Sequence, residues 1–245
     1  MKGAAEHDEI FMWKDIRIIQ RTDVFKIGTD ALSLGGWVAK VVSHPLNILD
    51  VGTGTGVLAL MMAHYFPESK IAAIDMDNAA IELASINFRN SKWRDHLSAE
   101  QLDIFQKINQ ITWQYDLIVC NPPFYHQKME SSNEVNAKAK HAENSASEWI
   151  KVLVNKLNSN GDLCIVVPYI DAFHWIEAAN TNSYYCRNRL NLYSFPKDEI
   201  PVRSLLHFHI GIAASEIARM NVYETINKHS QEYLDLTGIQ PKKGE

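Results

Sequence analysis

The stretch Ile48-Leu49-Asp50-Val51-Gly52-Thr53-Gly54-Thr55-Gly56-Val57-Leu58-Ala59-Leu60 decides the fold of this 245-residue chain. It starts as a short apolar run, which is the pattern of a buried parallel strand. Three glycines at alternate positions follow, and apolar residues at helical spacing begin at Val57. A strand, a glycine turn and a helix in this order are typical of the first unit of a doubly wound α/β sheet, which binds ligands at such a turn.

The spacing of the glycines indicates which kind of ligand the turn would hold. They stand at Gly52, Gly54 and Gly56, whereas the dinucleotide fingerprint G-x-G-x-x-G would have its third glycine at Val57. Asp50, just before the turn, would repel a pyrophosphate but would suit a cationic or amine-bearing ligand. The pattern Asp-x-Gly-x-Gly-x-Gly resembles the first motif of class I S-adenosylmethionine-dependent methyltransferases. The alternative is a glycine-rich turn that holds no ligand.

Composition narrows the class of protein. With 46% hydrophobic and 22% charged residues, the chain suits one sizeable α/β domain. Its net charge of −5 argues against tight nonspecific binding of nucleic acid, but is compatible with a local basic face. Cys120, Cys164 and Cys186 form no Cys-x-x-Cys pair, which indicates reduced thiols in a cytoplasmic protein. We expect neither a signal peptide nor a membrane span, because no apolar run approaches about 18 residues.

Acidic residues follow the next two predicted strands. Asp75 ends the strand at residues 71–75, where an acid in this fold accepts hydrogen bonds from ribose hydroxyls. Asp77 competes for that role, but its surroundings fit better the N-cap of the following helix. Asp103 closes a weaker third strand within residues 96–102. In the methyltransferases that the first motif resembles, an acid there bonds the adenine amine of the cofactor; the alternative is a residue that starts a loop.

A second conspicuous segment, Phe25-Lys26-Ile27-Gly28-Thr29-Asp30, precedes an apolar helical run. One interpretation is a lid over the methionine end of the cofactor, formed by Lys26, Gly28, Thr29 and Asp30. The other is that Thr29 or Asp30 is the N-cap of the helix. Further upstream, the apolar pattern predicts two short strands joined by a hairpin turn at residues 20–23.

The fourth predicted strand, residues 115–120, continues directly into Asn121-Pro122-Pro123-Phe124. In this fold its end lies beside the end of the first strand, where ligands bind. The side-chain oxygen of Asn121 and the carbonyl of Pro122 can accept both hydrogens of a conjugated amine and turn its lone pair toward an electrophilic methyl group. Pro122 and Pro123 restrict the backbone, and Phe124 offers a flat face for the target ring. A proline turn without such a role is the alternative.

These three motifs together resemble the bacterial tRNA1(Val) adenine methyltransferase family, and the likeness covers nearly the whole chain. The resemblance implies methylation of the exocyclic amine of the adenosine 3′ to the anticodon. It also implies that S-adenosylmethionine is held by Asp50, Gly52, Gly54, Asp75 and Asp103, and the adenine by Asn121 to Phe124. The family often has Tyr in the place of Phe124, and Phe there is also common in ribosomal guanine methyltransferases.

The predicted architecture is a doubly wound, mostly parallel sheet of seven strands, Rossmann-like, in one class I methyltransferase domain. That domain would comprise residues 46–245, with residues 1–45 as an N-terminal extension packed on it. We expect a monomer without a metal, because His207 and His209 have no third ligand at a suitable spacing. The expected partner is the anticodon loop of a tRNA. Candidate phosphate contacts are Lys14, Arg17, Arg21 and Lys26, with Lys128, Lys138 and Lys140 in a loop after the fourth strand.

Two other functions are compatible with the motifs. One is methylation of a different amine, either on a ribosomal RNA base or on a protein glutamine. The other is a binding module for RNA or cofactor without catalysis. Asn121 argues against the binding module, because binding alone does not require an acceptor that aligns an amine.

Overall fold

A computed structural model describes residues 8–107, 112–122 and 145–240. The strands are β1 Glu9–Trp13, β2 Ile16–Gln20, β3 Asn47–Val51, β4 Lys70–Asp75, β5 Leu97–Gln101, β6 Tyr115–Cys120, β7 Leu157–Pro168, β8 Tyr184–Tyr193, β9 Arg203–Ile210, β10 Glu216–Asn221, β11 Tyr223–Thr225 and β12 Lys228–His229. The helices are α1 Thr29–Val41, α2 Val57–Tyr65, α3 Asn78–Arg89, α4 Ile104–Lys107, α5 Ala146–Val154, α6 Ala172–Thr181 and α7 Gln231–Thr237.

The central sheet has the strand order β10-β8-β9-β7-β6-β3-β4-β5. Its neighbouring strands are parallel except where β9 runs antiparallel to β7 and β8. This confirms the predicted doubly wound, mostly parallel sheet. The structure also has an eighth strand, β10, which lies at the edge of the sheet beside β8. The first four residues of β10 are exposed, so the strand carries little of the hydrophobic pattern from which strands are predicted.

Helices cover both faces of this sheet, and each strand contributes alternate side chains to the two faces. Ile48 of β3 belongs to the core under α1, α2 and α7, whereas Leu49 belongs to the core under α5 and α6. Burial on both faces is why β3, β6 and the second half of β7, residues 163–168, are nearly continuous apolar runs. Gly52 and Asn121 follow β3 and β6 directly and mark the edge of the sheet where a ligand can be reached.

The N-terminal hairpin differs from the prediction. β1 and β2 pair antiparallel, with Trp13 opposite Ile16, so the turn lies at Lys14 and Asp15 and not at residues 20–23. Lys14 adopts a φ of +51°, a left-handed backbone conformation that a lysine in the sequence does not predict. Trp13 is fully buried, and its indole N–H donates a 2.6 Å hydrogen bond to the carbonyl of Thr237. The hairpin is thereby attached to the C-terminal helix α7.

Residues 158–161, which their Asn and Gly content predicts to form a turn, lie instead within β7. Tyr115 of β6 pairs with Leu157, and Leu117 pairs with Asp162, so β7 carries extra residues opposite β6. A Cβ atom at Gly161 would lie 2.8 Å from the carbonyl oxygen of Tyr115. A β-bulge and a turn favour the same residue types, and the strand pairing decides between them.

Candidate active site

A cavity of about 580 Å³ opens where β3, β4 and β6 end, at the carboxyl edge of the sheet. Its wall is formed by residues 24–31, the glycine turn after β3, residues 74–77 and the residues that follow β6. Side chains from more distant segments complete it, including Trp149 of α5 and Arg203 of β9. The cavity thus joins the three sequence motifs in one place.

The glycine turn has the backbone that only glycine adopts easily. Gly52, Gly54 and Gly56 have φ values of +75°, +54° and +83°. The amides of Gly52 and Thr53 donate to the carbonyl of Ile74 at 2.9 and 3.1 Å, which ties the turn to β4. A Cβ at Gly54 would meet no other atom within 4 Å, and Gly54 lines the cavity. At this position the backbone itself is open to a ligand.

Gly56 has a different surrounding from Gly54. It is the N-cap of α2, and a Cβ there would lie 2.6 Å from the ring of Phe88 and 3.3 Å from Ala84. Gly56 is absent from the cavity wall formed by the described residues, whereas Val57 and Leu58, which follow it, belong to that wall. The structure therefore gives Gly56 a packing role between the turn and α3.

Asp50 lies beneath the turn, fully buried. Its Oδ2 accepts hydrogen bonds from the Thr53 hydroxyl at 2.6 Å and from the Ala59 amide at 3.1 Å. Its Oδ1 has no hydrogen-bond partner among the described residues. Loss of solvation on burial, with the nearby charge of Asp75 adding to it, raises the pKa of Asp50 to about 7. The carboxyl supports the turn from behind the cavity wall, and its predicted contact with the cofactor stays a prediction.

Asp75 stands on the cavity wall at the end of β4. Its Oδ2 accepts from the Gly54 amide at 3.0 Å, and its Oδ1 accepts from the Asp77 amide at 2.9 Å. Burial raises the pKa of Asp75, and these backbone hydrogen bonds oppose that effect. Asp77 accepts from the Ala79 amide at 3.0 Å, which confirms it as the N-cap of α3. Asp75 is thus the carboxylate that joins the glycine turn to the end of the second parallel strand.

Asp103 caps the short helix α4. Its Oδ1 accepts hydrogen bonds from the amides of Phe105 at 3.0 Å and Gln106 at 3.4 Å. Its neighbours Leu102 and Ile104 line the cavity, whereas Asp103 does not appear on the wall that the described residues form. These contacts are those of a helix N-cap, which neither interpretation of the sequence predicted, and the proposed bond to an adenine amine stays a prediction.

The whole segment from Lys26 to Asp30 lines the cavity. The prediction that Thr29 or Asp30 is the helix N-cap is wrong, because α1 begins at Thr29 after Gly28 and has no side-chain cap. Asp30 instead accepts a 2.7 Å ion-pair hydrogen bond from Nε of Arg203, which also lines the cavity. Sequence reasoning missed Arg203, since nothing in the segment around it resembles a motif.

Asn121 and Pro122 follow β6 at the centre of this edge. Val51 pairs with Cys120, so Gly52 and Asn121 leave neighbouring strands side by side. A Cβ at Gly52 would lie 3.9 Å from the carbonyl oxygen of Asn121. Asn121 is half-buried, Pro122 is buried, and both line the cavity. The other predicted residues of this region lie outside the described residues: Pro123, Phe124, Lys128, Lys138 and Lys140.

The wall combines two chemically different groups of residues. One carries the carboxylates of Asp30, Asp75 and Asp77, which suit hydroxyl groups and a cationic amine. The other is apolar, with Ile104 and the buried Trp149, whose ring packs edge-on against Phe105 at 4.8 Å between centroids. Such a wall suits a ligand with a flat ring at one end and polar groups at the other. Trp149 shows only the pattern of a core residue in the sequence.

No group of three or more His, Cys, Asp or Glu side chains among the described residues is arranged to hold a metal ion. No helix within residues 8–107, 112–122 and 145–240 is long and apolar enough to cross a membrane.

Comparisons with known proteins agree with this geometry. The methyltransferase small domain family matches residues 37–174. A tRNA1(Val) (adenine(37)-N6)-methyltransferase of Haemophilus influenzae (strain Rd) is 31% identical over 232 residues, which are 93% of this chain and 96% of that protein. The protein of the same name from Flavobacterium johnsoniae is 33% identical over 234 residues, with 93% and 97% covered.

Solved structures show the same fold at low sequence identity. A predicted O-methyltransferase from Agrobacterium tumefaciens has a TM-score of 0.64 at 15% identity, over 85% of this chain and 95% of its own. P. horikoshii TYW2 in complex with MeSAdo has a TM-score of 0.58 at 15% identity, over 84% and 72%. The sheet is therefore that of the class I methyltransferases.

Proposed function

Since the chain belongs to the tRNA1(Val) (adenine(37)-N6)-methyltransferase family, we propose that it methylates the exocyclic amine of the adenosine 3′ to the anticodon of a valine tRNA, with S-adenosylmethionine as the methyl donor. The observation that carries the proposal is the position of Asn121 beside Gly52 at the edge of one cavity. A turn that can hold a nucleoside cofactor and an acceptor that can align an amine thereby face the same space.

The residues of the wall fit S-adenosylmethionine. The cavity has a volume of about 580 Å³, which is within the range of small-molecule sites. Asp75 would accept hydrogen bonds from the ribose hydroxyls, and the backbone of Gly52 and Gly54 would allow close approach. The segment from Lys26 to Asp30 would cover the methionine end, while the apolar residues of the wall would receive the adenine. When bound, the cofactor supplies a methyl group on a positively charged sulfur.

Asn121 and Pro122 would prepare the target amine. The lone pair of an exocyclic adenine amine is delocalised into the ring, so the nitrogen is a weak nucleophile. The side-chain oxygen of Asn121 and the carbonyl of Pro122 would each accept one amine hydrogen and favour a tetrahedral nitrogen. These bonds strengthen as the nitrogen gains positive charge, so they stabilise the transition state more than the ground state. No strong base is required for this step, and Phe124 would stack on the adenine.

RNA would bind through a local cationic surface, because the net charge is −5. Two of the N-terminal candidates already pair with carboxylates, Arg21 with Asp23 and Lys26 with Glu9. Arg17 is exposed, and Lys14 lies with its Nζ 2.9 Å from Nε2 of His64. We therefore propose that the principal phosphate contacts are Lys128, Lys138 and Lys140, which follow β6 in the sequence, and that Arg17 is a secondary contact.

The protein would act in the cytoplasm as a monomer. Its three cysteines are buried and unpaired, which suits a reducing compartment. Residues 1–45 would serve as an extension of the catalytic domain, because Trp13 and α1 contribute to the same core as the sheet.

The test is transfer of labelled methyl groups from S-adenosylmethionine to total tRNA, ribosomal RNA and protein, each offered separately. We expect label in tRNA, and label in a valine anticodon stem-loop that is lost when the adenosine 3′ to the anticodon is replaced by guanosine. Label in ribosomal RNA or in protein glutamine would support one of the other amine methyltransferase functions. Cofactor binding without transfer to any of the three would support the binding module.

A further inference from the structure

Phe25 carries an exposed aromatic ring at the rim of the cavity. Its side chain lines the cavity wall, yet the residue is 71% exposed. A single exposed apolar residue is ordinary on a protein surface. Phe25 differs from the other exposed large apolar side chains of the described residues in that it lines the same cavity as Asn121.

The backbone on both sides of Phe25 is anchored. Val24 is buried in a small core with Ile19, Ala80 and Leu83. On the other side, the amide of Ile27 donates a 2.8 Å hydrogen bond to the side-chain oxygen of Gln20. The ring is therefore presented from a fixed segment, which lowers the entropic cost of using it for binding.

Asn121 and Phe25 differ in how exposed they are, and this difference separates their roles. Asn121 is half-buried beside the glycine turn, so an amine that reaches it brings its base inside the cavity. Phe25 lines the same cavity but is 71% exposed, so its ring can contact a base that stays outside. Proteins recognise unpaired RNA by stacking its bases on aromatic side chains, at about 1–3 kcal/mol for each base.

We propose that Phe25 stacks on the base of a nucleotide adjacent to the target adenosine and so sets the position of the RNA loop over the cavity. This proposal rests on the proposed function, because it requires an RNA substrate whose target base enters the cavity. It makes Phe25 a residue that binds substrate and takes no part in the transfer of the methyl group.

The chain contains a matched control. Phe173, in α6, is 65% exposed, nearly as much as Phe25, and does not belong to the described wall of the cavity. Replacement of either ring by Ala removes a similar exposed apolar surface. A difference between the two variants therefore reports on the place of Phe25 and not on exposed phenylalanine in general.

The experiment compares Phe25→Ala, Phe25→Trp and Phe173→Ala on an anticodon stem-loop RNA. For Phe25→Ala we expect KM for the RNA to rise about 5- to 150-fold, the equivalent of one lost stack, with kcat at saturating RNA near the parental value. Phe25→Trp should restore KM, and Phe173→Ala should leave it unchanged. Calorimetry should show parental affinity for S-adenosylmethionine in all three variants.

RNAs with an abasic site on either side of the target adenosine identify the contact. The parent should bind one of these two RNAs more weakly than the intact RNA. Phe25→Ala should not weaken the binding of that RNA any further, since the base on which Phe25 would stack is already absent. Equal losses from Phe25→Ala on intact and abasic RNAs would overturn the proposal. So would a parallel loss of cofactor affinity, which would make Phe25 a cover for the cofactor.

The two proposals fail in different ways. A parent protein that methylates no tRNA would remove the proposed function, and the stacking role with it. A parent that methylates tRNA, together with a Phe25→Ala variant of parental KM, would remove the stacking role alone.

Discussion

Nε of Arg203 donates a 2.7 Å hydrogen bond to Oδ2 of Asp30, although 173 positions separate the two residues in the chain. Asp30 lies in the first turn of α1, and Arg203 is the first residue of β9. Both side chains line the cavity and are partly exposed. The pair therefore ties the start of α1 to the start of β9 at the cavity wall.

Breaking this pair should weaken cofactor binding. Asp30→Asn and Arg203→Gln should each reduce the affinity for S-adenosylmethionine several-fold, and the double variant should lose less than the sum. We expect a coupling of about 0.5–1 kcal/mol, the size found for partly exposed ion pairs, which shrinks at high salt. Calorimetry on the four proteins measures it. Lys92→Gln, which breaks the exposed Lys92–Asp15 pair outside the cavity, is the control, and a similar loss there would contradict the prediction.

Two glycines of the same turn should respond differently to alanine. Gly56→Ala should destabilise the fold by about 1–3 kcal/mol, because the backbone is left-handed and the new Cβ would meet the ring of Phe88. Gly54→Ala also has a left-handed backbone, but its new Cβ would meet no other atom, so its loss of stability should be smaller. The methyl group would instead enter the cavity, where it should weaken cofactor binding. Urea unfolding and cofactor calorimetry on both variants separate the effects. If Gly54→Ala binds the cofactor like the parent, the ligand does not approach this backbone.

The stability of the protein should carry a pH dependence from Asp50. Its pKa is about 7 in the folded state against an ordinary value of 3.8, so between those values the folded state holds the extra proton. The contribution of Asp50 to the free energy of unfolding is therefore full below about pH 4 and decreases as the pH rises to about 7. The slope is at most about 1.4 kcal/mol per pH unit.

Asp50→Asn isolates this effect, because an amide does not titrate. Across this pH range the parent should lose stability relative to the variant, and above about pH 7 the difference should stay constant. Urea unfolding of both proteins at a series of pH values measures the difference. Parallel profiles from pH 4 to 7 would show that the carboxyl is ionised in the folded protein throughout.

Asn121→Ala should lose most turnover and keep cofactor binding. Loss of one polar contact to the transition state costs about 3 kcal/mol, which is roughly a hundredfold in rate. Asp75 and the glycine turn are untouched, so calorimetry should show parental affinity for S-adenosylmethionine. Asn121→Asp keeps the acceptor and adds a charge, and single-turnover methylation measures both variants. An Asn121→Ala protein that methylates at the parental rate would make the motif a proline turn only.

Local patterns were sufficient for the glycine turn, the strand order around it and the place of Asn121. Buried parallel strands are continuous apolar runs, and a left-handed turn requires glycine, so both can be recognised from a few adjacent residues. The proximity of Gly52 and Asn121 can be predicted as well, because the carboxyl ends of parallel strands meet at one edge of a sheet.

Which residues face the cavity depends on contacts between segments that are distant in the sequence. Residue type alone does not distinguish Gly54, open to the cavity, from Gly56, packed on Phe88, nor the two exposed rings of Phe25 and Phe173. The sequence by itself determined the parallel centre of the sheet, the glycine turn and the amine motif, since each is encoded by neighbours along the chain. Only the tertiary structure decided which side chains face the cavity, because burial and pairing arise between residues far apart in sequence.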